Sequence, residues 1–231
     1  MIKLLNVTYH YTEGKPDTPD QPIRGVENIS FEIEPGEFVL LVGKTGAGKT
    51  SLFRLISLEL TPKSGEIHLE NFRSSTLSRR KLAAWRRRLG IVFQDMRLLA
   101  DRTVLENVRL SAMCERNLPT KSKQRALRML HMVGLSDKMH RLPNELSAGE
   151  QQRAAIARSV VNEPFVLLAD EPVSHLDTET STEIIDIFKQ LNDSGTAMLI
   201  ATHQPERFEA VASRTIRMGQ GRMIPNERVI E

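Results

Sequence analysis

Phe38-Val39-Leu40-Leu41-Val42-Gly43-Lys44-Thr45-Gly46-Ala47-Gly48-Lys49-Thr50-Ser51-Leu52-Phe53 decides the fold of this chain. A short apolar run leads into a segment that matches G-x-x-x-x-G-K-[ST], and a second apolar-rich run follows. The reading is strand, phosphate-binding loop, helix. Small residues let backbone N–H groups close on phosphate oxygens, and the N-terminus of the following helix faces the negative charge. Lys49 adds a cation aimed at the β- and γ-phosphates, and the Thr50 hydroxyl can ligate Mg²⁺. Gly43, Lys44, Thr45, Gly46, Ala47, Gly48, Lys49, Thr50 and Ser51 are therefore candidate nucleotide-binding residues.

Working outward, three more continuous apolar runs read as strands covered on both faces: Gly90 to Phe93, Phe165 to Ala169 and Ala197 to Ala201. Unbroken apolarity of this kind marks parallel strands with helices on either side. Polar motifs begin where these strands end, which is where open α/β sheets bind ligands. Ile2 to Val7, Ile29 to Ile33 and Glu66 to Leu69 alternate more and predict an antiparallel group. Thr12 to Pro22, rich in proline and acid, reads as a mobile loop. From about Asp95 to Asn162 the periodicity is helical, with Leu127, Leu130 and Val133 among its apolar positions, and predicts a helical subdomain inserted into the sheet domain. The whole chain, 1–231, reads as one domain.

Composition sets bounds on function. The 231 residues carry 40% apolar and 26% charged side chains, as ordinary soluble globular chains do. The single cysteine, Cys114, excludes a disulfide framework or a cysteine-built zinc site and fits a reducing compartment. Met1 to Asn6 turns polar too soon for a signal peptide. No apolar stretch nears the roughly 20 residues that span a bilayer, so membrane work would need a second chain. The net charge of +3 is too small to argue for nucleic acid. The basic run Arg79-Arg80-Lys81 and Arg86-Arg87-Arg88 is interleaved with Leu82, Trp85 and Leu89 at i, i+3 and i+7. That spacing predicts one buried helical face and a solvated basic face open to anionic lipid headgroups.

A second motif lies about a hundred residues on. Leu146-Ser147-Ala148-Gly149-Glu150-Gln151-Gln152-Arg153 reads as a loop entering a helix that continues past Arg158, with Ser147 and Gly149 at its cap. Phe165-Val166-Leu167-Leu168-Ala169-Asp170-Glu171 is an apolar strand ending in two acids. Asp170 would reach the Mg²⁺ shell and Glu171 would polarise the attacking water, since phosphoryl transfer needs mostly positioning and charge neutralisation. Together with the phosphate loop, these segments resemble the ATP-binding cassette (ABC) family. The resemblance runs from the first strand to the Gly219-Gln220-Gly221-Arg222 turn. It implies a P-loop NTPase fold: an α/β, ABC-type nucleotide-binding domain with a mostly parallel sheet, an antiparallel β subdomain and an inserted helical subdomain.

The resemblance also implies roles. ATP and Mg²⁺ are the expected cofactors, with Thr50, Gln94 and Asp170 near the metal and Glu171, His203 and Gln94 serving catalysis. Ser147, Gly149 and Glu150 would meet the nucleotide of an opposite subunit, giving a head-to-tail homodimer when ATP is bound. Ser174-His175-Leu176-Asp177 resembles the family's D-loop. Tyr11 matches the aromatic that stacks on adenine, with Tyr9 a competing candidate. Ala148, Val173 and His175 depart from the commoner family residues. The stretch Phe93-Gln94-Asp95-Met96-Arg97-Leu98-Leu99-Ala100-Asp101-Arg102-Thr103-Val104 is similar to the bacterial cell-division branch. That branch implies an FtsX-like integral membrane partner, no nucleic-acid partner, activation of peptidoglycan hydrolases, and peripheral attachment to the cytoplasmic face of the cell membrane. Export or lipoprotein release is the alternative within the family, and a nucleic-acid-associated ATPase the alternative outside transport. Met96, Leu98 and Leu99 suit a groove for a short helix of the membrane partner; core packing is the competing account.

Overall fold

The computed structural model describes residues 1–11, 25–113 and 119–224. The Thr12 to Pro22 segment and Cys114 lie outside the described residues. Strands β1 (Ile2–His10) and β2 (Gly25–Ile33) pair antiparallel. Strand β3 (Phe38–Val42) runs through the phosphate loop into helix α1 (Lys49–Ile56). Strands β4 (Ser64–Leu69) and β5 (Phe72–Arg73) return to the first sheet, whose order is β2-β1-β4-β5. Helix α2 (Arg79–Arg87) leads to β6 (Leu89–Val92). Three helices follow: α3 (Val104–Met113), α4 (Pro119–Met132) and α5 (Ala148–Val160). Strand β7 (Val166–Asp170), helix α6 (Thr178–Asp193), strand β8 (Ala197–Thr202) and the hairpin β9 (Arg214–Gly219) and β10 (Arg222–Ile224) complete the described residues. The second sheet has the order β10-β9-β3-β8-β7-β6; β9, β3, β8, β7 and β6 run parallel, and β10 pairs antiparallel with β9.

The period-2 geometry of β3 explains its unbroken apolarity. Phe38 and Leu40 enter a core shared with α3, α4, α5 and α6, whereas Val39 and Leu41 enter a core shared with α1 and the antiparallel sheet. Each such side chain contributes about 1.5–3 kcal/mol on full burial. The strand thus joins both cores, and the loop it feeds is held firmly at its base.

Two expectations change in α2. The helix ends at Arg87, so Leu89 belongs to β6 rather than to the helical face. Trp85 alone is fully buried there, and its indole N–H donates to the Ile56 carbonyl at 2.8 Å, which satisfies the C-terminal end of α1. Arg80, Lys81 and Arg87 are exposed, as expected of a solvated face, but two exposed arginines also make contacts. Arg86 donates to the carbonyls of Ser57 and Leu58, and Arg88 forms a forked pair with Glu70. Arg86 meets carbonyls at the end of α1, where a helix leaves acceptors without partners, and Arg88 anchors the start of β6 to the turn after β4.

Candidate functional site

The parallel register gathers the polar motifs at one edge. Val42 lies opposite Thr202, Ala201 opposite Asp170, and Ala169 opposite Val92. The phosphate loop, Glu171, His203 and Gln94 each follow one of these strand ends. They surround a cleft of about 730 Å³, lined by Tyr11, Gly25, the residues from Lys44 to Ser51, Gln94, Asp170, Glu171, Ser174, His175 and His203.

Gly48, at φ 101°, opens α1 with no side-chain cap on its N-terminal N–H groups. A Cβ there would sit 2.9 Å from the Gly25 carbonyl oxygen and 3.1 Å from Val26, so only glycine fits this turn. Lys49 is buried to 8% exposure. Its ammonium donates to the Gly43 carbonyl and lies 3.6 Å from Glu171 Oε1. The other oxygen of Glu171 accepts from His203 Nδ1 at 2.7 Å and from the His203 backbone N–H at 3.3 Å. Glu171 turns back over the loop because its backbone is left-handed, φ 49°, which costs about 1–2 kcal/mol for a side-chain-bearing residue. Its N–H donates to the Ala201 carbonyl at 2.8 Å, which pins the turn.

Thr50 Oγ1 donates to Asp170 Oδ2 at 2.7 Å. Burial pushes the Asp170 carboxyl above the usual aspartate range; the Thr50 hydrogen bond opposes this, Glu171 adds to it and Lys49 opposes it. A cation bound beside this carboxylate would relieve the cost of burying its charge. One hydroxyl and one carboxylate are the oxygen donors that Mg²⁺ takes while keeping several waters. Among the described residues no cluster of three or more acidic, histidine or cysteine ligands occurs.

Tyr11, 47% exposed, lines the cleft, with its hydroxyl 3.3 Å from Ser51 Oγ and its ring edge-on to Tyr9. Tyr9 packs against the β-side core instead, so of the two it is Tyr11 whose ring faces the cleft. Ser174 and His175 join the cleft lining, and the Ser174 hydroxyl donates to the Glu171 carbonyl at 3.1 Å.

Ser147, Gly149 and Glu150 do not line this cleft. Ser147 is the N-cap of α5, and its side chain and that of Glu150 exchange hydrogen bonds with each other's backbone N–H in a capping box. The Glu150 carboxylate also pairs with Lys138. Gly149 is inside the helix rather than at its cap, and a Cβ on it would strike Thr180 Cγ2 at 2.3 Å. Glycine is needed there for the close approach of α6, a contact that the motif does not announce. Ala148 is exposed. In the loop after Gln94, Leu98 packs against the helical core while Leu99 is 46% exposed. The apolar pair is therefore split, with core packing for Leu98 and an outward face for Leu99.

A phosphate loop backed by a buried lysine, a hydroxyl–carboxylate pair and a histidine-bound glutamate defines a nucleotide-handling P-loop fold. The ABC transporter family model matches residues 26–174. The chain belongs to that family, as an ABC-type ATP-binding domain. It is 39% identical over 229 residues to the cell division ATP-binding protein FtsE of Mycobacterium tuberculosis, covering 99% of this chain and 96% of that protein. It is 35% identical over 232 residues to the methionine import ATP-binding protein MetN of Haemophilus influenzae, covering 100% of this chain and 66% of MetN. A solved dimer of the ATP-binding cassette MJ0796 in a post-hydrolysis state, bound to ADP and Pi, has a TM-score of 0.85 at 34% identity and covers 96% of each chain. No helix among the described residues is long and apolar enough to cross a membrane.

Proposed function

We propose that this ABC ATPase is the ATP-hydrolysing subunit of an FtsE–FtsX-like cell-division complex on the cytoplasmic face of the bacterial membrane. The observation that carries the catalytic part is the chain Lys49–Glu171–His203 beside the Thr50–Asp170 pair in one cleft. In this reading Tyr11 stacks on adenine, while the backbone of Gly43 to Ser51 surrounds the phosphates. Lys49 leaves Gly43 and Glu171 for the β- and γ-phosphates. Thr50, Asp170 and Gln94 would hold Mg²⁺, which would supply charge neutralisation at the phosphate oxygens. Glu171 polarises the attacking water, and His203 orients Glu171. Ser147, Gly149 and Glu150 of α5 serve the nucleotide of a second, head-to-tail copy.

Likeness to FtsE over nearly the whole chain supports the cell-division assignment. Membrane attachment would then come through an FtsX-like partner, and ATP cycling would move that partner so that peptidoglycan hydrolases are activated. Likeness to MetN supports a second reading, the ATPase of a solute transporter. Purification from native cells with identification of the membrane chain that accompanies it separates the two. An FtsX-like chain is expected, and a solute permease or lipoprotein-release chain overturns the division role. Leu99→Asp should lower capture of that chain while ATP affinity stays within about twofold, because a surface change away from the cleft removes no nucleotide contact. Undiminished capture removes Leu99 from the interface. Mg²⁺-dependent hydrolysis by the purified protein tests the enzyme assignment, and stimulation by DNA would turn the reading toward nucleic acid.

A further inference from the structure

Gln94 lies on the rim of the cleft, two residues beyond the end of β6, and the chain after it takes a strained path. Met96 and Arg97 are consecutive side-chain-bearing residues in the left-handed region, with φ of 55° and 50°. Such a pair persists only where its surroundings over-determine it. Part of the restraint is local. The Arg97 guanidinium lies 3.8 Å from the centre of the Phe93 ring and pairs with Asp95 at 3.0 Å.

The rest comes from a distant helix. Arg158, in the last turn of α5, donates from one guanidinium nitrogen to the Arg97 carbonyl and from another to the Met96 carbonyl. An arginine suits this task because its planar fork reaches two acceptors at once, whereas a lysine presents one point charge. Farther along, the buried Asn107 of α3 accepts from Leu99 N–H at 2.8 Å. It also donates to the carbonyls of Leu99, Arg102 and Thr103. The loop is thus attached to helices α5 and α3, while Gln94 stays among the cleft residues. Helix α5 is the same helix that Ser147 opens.

We propose that Arg158 is a positioning residue for ATP turnover. By gripping the carbonyls of Met96 and Arg97, it makes the loop behind Gln94 and helix α5 move as one body. A shift of Gln94 toward nucleotide then carries the Ser147 end of α5 with it. The inference rests on the reading of the cleft as the ATP site.

The test is a double-mutant cycle in this chain, with Arg158→Lys alone, Gln94→Ala alone, and both together. Arg158→Lys should lower kcat about tenfold, the effect of one lost charge-assisted hydrogen bond. KM for ATP should stay within about twofold, because no nucleotide contact is removed. On the Gln94→Ala background the same substitution should cost nothing further. Amide exchange at residues 96–99 should speed up, while exchange in the buried 154–157 stretch of α5 stays slow. Equal loss of kcat on both backgrounds, or unchanged exchange at residues 96–99, overturns the proposal. Should Arg158→Lys fail to fold, Arg158→Gln decides it by the same two readings. Failure of the unsubstituted chain to bind ATP overturns the reading of the cleft itself, an outcome distinct from either result of the cycle.

Discussion

Two helix N-termini carry the two motifs of this molecule, and they are built in opposite ways. Helix α1 begins at Gly48 with no side-chain cap and no acid in its first turn. Helix α5 begins at Ser147 with a complete capping box and with Glu150 in its first turn. An uncapped terminus leaves N–H donors and the positive end of the dipole for a ligand, whereas a capped one has already met that need internally. On the proposed reading, the first is a phosphate site in its own right. The second is a rigid, satisfied surface that can add contacts to a nucleotide already held elsewhere, which is the part that a second copy would play.

If that contrast is right, substitutions in the α1 cleft should act far more strongly than those at the start of α5. The largest expected effect is on turnover. Glu171→Gln should lower hydrolysis by about 10²–10⁴-fold, the range for losing a general base, while ATP binding persists and a closed dimer accumulates. Steady-state hydrolysis together with size analysis in ATP checks it, and near-normal turnover would remove Glu171 from that role. Next comes affinity. Lys49→Ala should weaken ATP binding about 100-fold, as expected for a buried charge-assisted contact worth about 3 kcal/mol. A nucleotide titration with unchanged affinity would break the assignment of the α1 terminus.

Glu150→Gln probes the other terminus, where the expected loss is of stability rather than of ligand. Weakening the capping box should cost about 0.5–1 kcal/mol by chemical denaturation, with ATP affinity of the single chain unaltered. The pH dependence has a defined sign. Lys138, and then the Ser147 N–H, hold the Glu150 carboxyl below the usual glutamate range. Because its folded-state pKa is depressed, the stabilisation is complete above the unfolded-state value and disappears as pH falls through the folded value. The deficit of Glu150→Gln should therefore shrink in acid; a deficit that grows there would contradict the capping account. The smallest effect belongs to Ala148→Gly. Ala148 is exposed, so stability should change by less than about 0.5 kcal/mol. Turnover should be unchanged or slightly raised, and a large loss in either measurement would show that the methyl group has a packing role.

Legibility differed between the two regions for a physical reason. The phosphate loop, the parallel strands β3, β6, β7 and β8, and the acids Asp170 and Glu171 at the end of β7 could be read from residue order, because each is a local pattern within a few residues; β9, which pairs parallel with β3, was not read. Helices α3, α4 and α5 lie in the stretch whose periodicity reads as helical. The path of the basic run was not legible. Leu89 has helical spacing from Trp85, yet it begins β6, and Arg86 and Arg88 turn to carbonyls and to Glu70 that are close only in the folded chain. Leu98 and Leu99 look alike in sequence, and only the packing of α3 and α5 around the loop sends one inward and leaves the other exposed.

The sequence by itself determined which residues could handle phosphate and where most of the parallel strands lie, since motif spacing and short apolar runs are local. Tertiary structure decided what those residues do to one another. It set Lys49 against Glu171, Glu171 against His203, and Thr180 against the missing Cβ of Gly149. It also brought Arg158 to the carbonyls of Met96 and Arg97, some sixty residues away along the chain. Such pairings depend on strand register and helix packing summed over both cores, and no short stretch of sequence encodes that sum.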